Sequence, residues 1–499
     1  MTMNLDFPIA KPDYSFPAFF RHRKVGDHYV VTNAQGDFVI LKPEEFKAFG
    51  EGTVAKDSPL WRRLKEGNFI RAEFDVPAAV ERLKRRKRFL QGGPNLHMIV
   101  ATLRCNETCV YCHASRADMT ATQTDMTKET AEKTVDLILQ SPSEFITIEF
   151  QGGEPLVNFP VVKHVIEYAH EKNRALGKHL EFTMVSNLAL MDEDKLGYLL
   201  DHRVQMCTSI DGPEHLHDKQ RKLVASSAFK AAVYWIERIN KAYIERGLDP
   251  TLYHVEALLT TTRDALTRGR EIVDTYAALG CRALFLRPID PFGFMEKTAH
   301  RVEYPRAEYM KFYRDTTDYV IALNMKGVPM IERYGAIFLT KILTGDDPNF
   351  LDIRSPSGAG LSALAYNYDG GVFTGDEARM MHETGDDTFY LGKVGELTYA
   401  KIIGHPLLRA LVLGANVDGR PDCVNCAYNP YCGACPVHTY KTQGSLSGRM
   451  RESTVCMVHK GIQDYLFEKL IENDPAVMEV FRRWTTHRPR EHFVHSPVQ

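Results

Sequence analysis

Three cysteines, Cys105, Cys109 and Cys112, fall within eight residues and directly follow an apolar run. Iron–sulfur clusters are held by cysteine thiolates. Three thiolates at spacings of four and three can grip three irons of a cube and leave the fourth open to a ligand. Zinc favours four closed ligands, usually from paired C-x2-4-C units, so an unaccompanied triplet suits the open cube better. A second group comprises Cys423, Cys426, Cys432 and Cys435, with Cys456 further on. Cys423, Cys426, Cys432 and Cys435 suit a tetrahedral zinc knuckle. Cys207 and Cys281 stand alone in apolar runs and are expected in the core.

Other residues could complete a pocket. In Gln151-Gly-Gly-Glu-Pro155 the paired glycines allow close backbone approach to a ligand, and the Glu154 carboxylate can accept from an ammonium. Thr208-Ser-Ile-Asp-Gly-Pro213 offers the Ser209 hydroxyl, and Arg221 can pair bidentately with a carboxylate. Taken singly, Asp211-Gly212-Pro213 could merely turn the chain and Arg221 could make a surface pair.

The elements that must position these groups alternate. Strand-like runs at 97–104, 146–151, 180–187, 205–211, 254–260 and 282–288 enclose amphipathic stretches such as 128–140, 160–173 and 228–244. Such alternation implies parallel strands joined by right-handed crossovers. Six units suit an α/β fold, a partial (β/α)6 TIM-like barrel, with reactive groups at the C-terminal strand ends. A doubly wound sheet gives the same alternation. The expected divisions are 1–90, a small α+β unit and linker; 91–330, the barrel; 331–475, a bridging and cysteine-bearing region; and 476–499, an Arg/His-rich tail that frays. Within the first, 28–32 and 38–41 read as strands around a turn at 33–36, followed by helices from Pro43 and over 58–67. A hairpin is expected around Asp369-Gly370.

The chain has 499 residues, 44% apolar and 25% charged, with a net charge of −2. This size predicts two or three domains, and the charge gives no reason to expect a nucleic-acid partner. The basic run at 84–88 reads as a solvated helix face or linker, or a guide for an acidic peptide. No export signal and no membrane-length apolar run are visible, so reduced ligand thiols and a cytoplasmic location are expected.

Taken together, the C-x3-C-x2-C triplet with Tyr111 before its last cysteine, the Gly-Gly-Glu-Pro segment and the Ser209…Arg221 segment resemble the radical S-adenosylmethionine superfamily. That resemblance implies a 4Fe–4S cluster on Cys105, Cys109 and Cys112. It implies S-adenosylmethionine held by Tyr111, Gly152, Gly153, Glu154, Pro155, Asn187, Ser209 and Arg221. The C-terminal cysteines resemble a SPASM-type auxiliary-cluster domain, implying one auxiliary 4Fe–4S cluster on Cys423, Cys426, Cys432 and Cys456. Ser-Pro-Ser-Gly at 355–358 and Gly375 stand where a second would need cysteines, and Cys435 is left unassigned. Related sulfatase-maturing enzymes imply Asp376 as a base and Gln151 facing the substrate. The 18–75 unit resembles a leader-peptide-recognition domain, with a plain packing extension as the alternative. Leu103-Arg-Cys-Asn106, Cys109-Val-Tyr-Cys-His-Ala-Ser115, Phe150-Gln-Gly-Gly-Glu-Pro-Leu156, Leu286-Arg-Pro288 and Pro430-Tyr-Cys-Gly-Ala434 look like the HxsB-type maturases of His-Xaa-Ser peptide systems. Implied is cleavage of S-adenosylmethionine to a 5′-deoxyadenosyl radical that abstracts hydrogen from a precursor peptide, giving a crosslink or other C–H modification. An electron donor such as ferredoxin or flavodoxin is implied too. Sulfatase-type oxidation of a protein Cys or Ser, and a non-catalytic zinc scaffold, are the competing functions.

Overall fold

The computed structural model describes residues 16–348 and 350–486. The N-terminal unit is an antiparallel sheet of β1 (Arg21–Val25), β2 (His28–Thr32) and β3 (Phe38–Leu41), in that order. Asn33 closes the β2–β3 turn, its Oδ1 accepting from the backbone N of Gly36 at 3.0 Å and of Asp37 at 2.9 Å. Val31, Leu41, Phe49, Leu64 and Phe69 form its core with helices Pro43–Glu51 and Pro59–Glu66. The sequence hid β1 because Arg21-His-Arg-Lys lacks an apolar face. Its arginines find partners far away instead, Arg23 gripping Asp464 at 2.6 and 2.7 Å.

The basic run is not simply a solvated face. Lys84, Arg85 and Arg88 are exposed, but Arg86 donates to the carbonyls of Ala34 and Pro430, and Lys87 to that of Ser355. The helix Val76–Arg86 thereby ties the N-terminal unit to the C-terminal region.

Five parallel strands follow: β4 (Leu96–Val100), then, after the short β5 (Glu107–Cys109), β6 (Phe145–Gln151), β7 (His179–Val185) and β8 (Gln205–Ser209), and, after β9 (Arg221–Leu223), β10 (Glu256–Leu258). Their order in the sheet is β10-β8-β7-β6-β4, each crossover moving the same way. A doubly wound sheet must reverse direction at a switch point, so this winding is that of a partial barrel. Helices Lys128–Ile138, Phe159–Asn173 and Ala228–Glu245 form at the predicted places. Along β6 the fully buried Ile146, Ile148 and Phe150 alternate with Thr147, Glu149 and Gln151, so the polar set shares the opposite face.

The sixth unit is weaker than predicted. Only β11 (Ala283–Leu284) forms, pairing with β12 (Ile331–Glu332). It meets the fifth unit through Thr261 N donating to Arg287 O at 2.9 Å. Pro288, at that bridge, has no N–H to extend a ladder. On the other side β13 (Ala363–Tyr366) adds parallel to β4, and β14 (Gly371–Phe373) and β15 (Tyr390–Lys393) continue antiparallel. The predicted hairpin at Asp369-Gly370 is present, with Gly370 at φ 88°, and it extends the barrel sheet.

The expectation of a fraying tail from 476 is corrected for its first part. Pro475–Trp484 is a helix capped by Asp474, with Val477, Val480, Phe481 and Trp484 buried and the Trp484 indole donating to Met330 O at 3.0 Å. Residues 487–499 lie outside the described residues. Among the described residues no helix is long and apolar enough to cross a membrane.

Candidate functional site

The C-terminal ends of β4, β6, β7, β8 and β10 surround a cavity of about 790 Å³. Cys105, Cys109 and Cys112 are free thiols on its wall. The loop carrying them is pinned by β5 pairing antiparallel with β9, which sets Cys109 opposite Arg221. Burial, with the charges of Glu154, Glu107 and Cys112, pushes the Cys105 thiol up to about 12. Both Cys105 and Cys112 also push Cys109 up, so the three sulfurs sit within mutual electrostatic reach. Three convergent thiols opening onto a large cavity fit a cube with one free corner. Cys207, expected in the core, also lines this cavity, but its main influences are burial, Glu256 and Glu149, and the triad is not among them.

The glycine pair answers to the protein as much as to a ligand. A Cβ on Gly152 would lie 2.2 Å from Thr102 O, and one on Gly153 2.3 Å from Leu103 O. The close approach lets Gly153 N donate to Thr102 O and Glu154 N to Arg104 O, both at 2.8 Å, locking the cysteine loop to β6. Glu154 is buried and accepts from Ser186 Oγ at 2.7 Å, Leu156 N at 3.0 Å and Asn187 N at 2.8 Å. Burial raises its carboxyl to about 7, and hydrogen bonds pull it back. No cation stands among its main influences, so an arriving ammonium would suit it. Pro155 is buried and begins a 3₁₀ turn, and it does not line the cavity.

Asn187, beyond the end of β7, donates to Asn106 Oδ1 at 2.9 Å and reaches Cys105 Sγ at 3.9 Å. Ser209 ends β8 on the cavity wall. Arg221 is half-committed: its Nε donates to Asp211 at 3.1 Å, Nη1 lies 3.8 Å from Glu107, and the guanidinium sits 5.3 Å over the Tyr111 ring. Tyr111 in turn donates to Asp211 at 2.6 and 2.7 Å. Asp211 and Glu107 are therefore site residues, the first being more than a turn former. Their signal was the chain distance between the cysteine loop and Arg221, which only strand pairing closes.

Gln151 and Asp376 both line the cavity. Asp376 begins helix Asp376–His382 and accepts from the buried Arg379 at 2.8 Å. Gln151 Nε2 donates to Glu149 at 2.6 Å. Glu149 was not anticipated, although the period-two pattern of β6 places it beside Gln151. Burial raises its carboxyl, and the charge of Asp376 adds to the effect.

The second cysteine group resolves itself by proximity. Cys432 feels Cys456, Cys426 and Cys423, and Cys423 feels Cys456 and Cys426. Cys435 responds instead to burial, Asp352 and Glu377, on the wall of a separate small cavity. Cys423, Cys426, Cys432 and Cys456 thus share one neighbourhood, and Cys435 faces another.

Residues 99–256 match the model of the Radical SAM superfamily. An uncharacterized protein of Methanocaldococcus jannaschii is 29% identical over 119 residues, 24% of this chain and 39% of that protein. The radical SAM cyclopropyl synthase TigE of Paramaledivibacter caminithermalis is 28% identical over 158 residues, 29% of this chain and 33% of that protein. The chain thus spans well under half the length of these two relatives. A cysteine-type anaerobic sulfatase-maturating enzyme of Clostridium perfringens is 22% identical over 393 residues, covering 76% of this chain and 98% of that protein. In fold the chain is similar to native anSMEcpe with bound AdoMet, with a TM-score of 0.62, 19% identity, and 78% and 99% of the two chains covered. It is also similar to Streptococcus suis SuiB bound to precursor peptide SuiA, with a TM-score of 0.51, 13% identity, and 87% and 98% covered. Residues 99–256 thus carry a radical SAM domain.

Proposed function

We propose that this chain is a radical S-adenosylmethionine maturase that modifies a ribosomally made precursor peptide, in the manner of the HxsB-type enzymes it resembles. The carrying observation is one cavity that gathers three thiols with Glu154, Asn187, Ser209 and Arg221 from successive strand ends. When bound, the reduced cluster and S-adenosylmethionine supply a hydrogen-abstracting 5′-deoxyadenosyl radical; that chemistry is the cofactor's own.

The protein's part is placement. Cys105, Cys109 and Cys112 hold the cluster. Gly152 and Gly153 keep the backbone close, and Glu154 accepts from the cofactor ammonium. Arg221, released in part from Asp211, pairs with its carboxylate, and Tyr111 walls the pocket. Gln151, Glu149 and Asp376 face the peptide residue, with Asp376 as the group that accepts a proton. Cys423, Cys426, Cys432 and Cys456 would hold one auxiliary 4Fe–4S cluster, which would supply an electron-accepting site. A cytoplasmic ferredoxin or flavodoxin supplies the electrons. The leader docks at β3, whose outer edge pairs with no strand among the described residues and borders a groove of about 580 Å³.

Anaerobic reconstitution should give roughly eight irons per chain, two cubes' worth, and incubation with the adjacent gene's precursor should yield a product lighter by two hydrogens per event. Cys112→Ala should abolish deoxyadenosine formation, and its persistence would remove the mechanism. Sulfatase-type oxidation of a protein Cys or Ser is the second reading, favoured by the placement of Asp376. Removing the leader from the substrate separates the two, because only the leader-dependent enzyme should lose turnover on the leaderless peptide.

A further inference from the structure

The N-terminal sheet rests on the second cysteine group through the loop's own backbone. Arg21 Nε donates to Val424 O at 2.6 Å and Thr32 Oγ1 to Ala427 O at 2.7 Å, while Arg86 donates to Pro430 O. In the opposite sense, Tyr431 Oη donates to Gly36 O at 3.0 Å. These four bonds engage three backbone carbonyls and the Tyr431 hydroxyl of the segment between Cys423 and Cys432. Thr32, Pro430 and Tyr431 are buried, so the contact is a packed interface.

Gly36, the acceptor of the Tyr431 bond, also borders the groove along β3. Gly36 and Asp37 line it, and Arg82 of helix Val76–Arg86 pairs with Asp37 across it. Residues 342–345 form the opposite wall, with Arg85 donating to Thr344 O at 2.9 Å. Lys341, next in the chain, shares a small pocket with Arg86, Lys87 and Cys432. The groove therefore meets the cysteine loop directly at Gly36, and through the helix that carries Arg82, Arg85 and Arg86.

We propose that the N-terminal unit and the auxiliary cysteine loop form one thermodynamic element, so that filling the four-thiol site orders the groove and the groove's walls hold the thiols in ligand geometry. Arg21, Thr32 and Arg86 are positioning residues for the metal centre. Coupling of this kind is reciprocal by linkage. It rests on the auxiliary centre assigned above and needs no knowledge of the peptide. A donor that fixes a loop carbonyl removes backbone freedom that ligand binding would otherwise have to freeze. Conversely, four metal–thiolate bonds would fix Val424, Ala427 and Pro430, and with them Thr32 at the end of β2 and Gly36 in the turn that follows.

The test uses the full-length protein, anaerobically reconstituted with iron and sulfide. Cys426→Ser, which removes one auxiliary thiol, should lower the iron count by about four per chain. It should also speed amide hydrogen exchange across residues 28–41 about tenfold or more, the range of a typical coupling. Thr32→Val and Arg86→Met each delete one bond to the loop, and should hasten chelator extraction of auxiliary iron about fivefold while the iron of the Cys105 triad stays. Exchange and extraction rates within about twofold of the parent protein would overturn the proposal. Equal iron counts in Cys426→Ser and the parent would overturn it too. Neither readout depends on turnover, so a failure to modify any peptide would strike the assigned reaction and leave this inference standing.

Discussion

Gly153→Ala tests whether the motif after β6 is a clamp on the cysteine loop as well as a cofactor contact. An added Cβ would meet Leu103 O at 2.3 Å, Arg104 O at 2.4 Å and Leu103 C at 2.6 Å, all of them backbone atoms that cannot swing aside. The loop would have to withdraw by about 1 Å to restore ordinary contact. That movement breaks the bonds from Gly153 N to Thr102 O and from Glu154 N to Arg104 O, each worth about 1 kcal/mol. Overpacking adds about 1–3 kcal/mol, for a total of about 3–5 kcal/mol. Gly197→Ala is the control: it lies in helix Glu193–Asp201 with no heavy atom within 4 Å of its added Cβ, and alanine there should be neutral or stabilising by up to about 1 kcal/mol. Urea unfolding of the apo chain, followed by circular dichroism, measures both. Anaerobic iron counting then asks whether the Cys105 triad still assembles. Unfolding of Gly153→Ala within about 1 kcal/mol of the parent, with iron intact, would refute the clamp.

Two further outcomes are expected. Arg221→Met leaves the fully buried Asp211 without its cation and should cost about 3–5 kcal/mol. The double variant Asp211→Asn/Arg221→Met should cost less than the two single changes added together, and strict additivity in urea melts would show that the pair is not an interacting unit. His97 is buried between Tyr366 Oη at 2.9 Å and Pro94 O at 3.2 Å, and burial lowers its pKa to about 3. The folded chain therefore binds fewer protons here than the unfolded chain, whose histidine titrates near 6.5. Stability from this group is present above pH 6.5 and is lost as pH falls toward 3. Between pH 6.5 and 5 the apo chain should lose about 2 kcal/mol that His97→Gln does not lose. Parallel pH profiles for the two proteins would contradict this.

Local residue chemistry determined much of this protein. The cysteine triplet, the Gly-Gly-Glu segment, Ser209 and Arg221 were legible because each is a short run whose residue types carry their function directly. The strand–helix alternation was equally legible, since periodicity is a local property. What the chain could not reveal in one dimension was pairing. Alternation alone does not distinguish a barrel from a doubly wound sheet. That depended on β4 to β10 being laid down in one direction, with β13 closing on β4 from more than 250 residues away. Glu107 and Asp211 became site residues only when β5 met β9 and set Arg221 beside them. β1 and the helix after Asp474 escaped notice for the same reason, because their charged or aromatic side chains are satisfied by distant elements. Cys435 could not be assigned from its spacing, and the fold sets it near Asp352 and Glu377, whereas Cys432 lies near Cys423, Cys426 and Cys456. Thiol spacing limits which ligand sets can form; the packing of the backbone around them selects one.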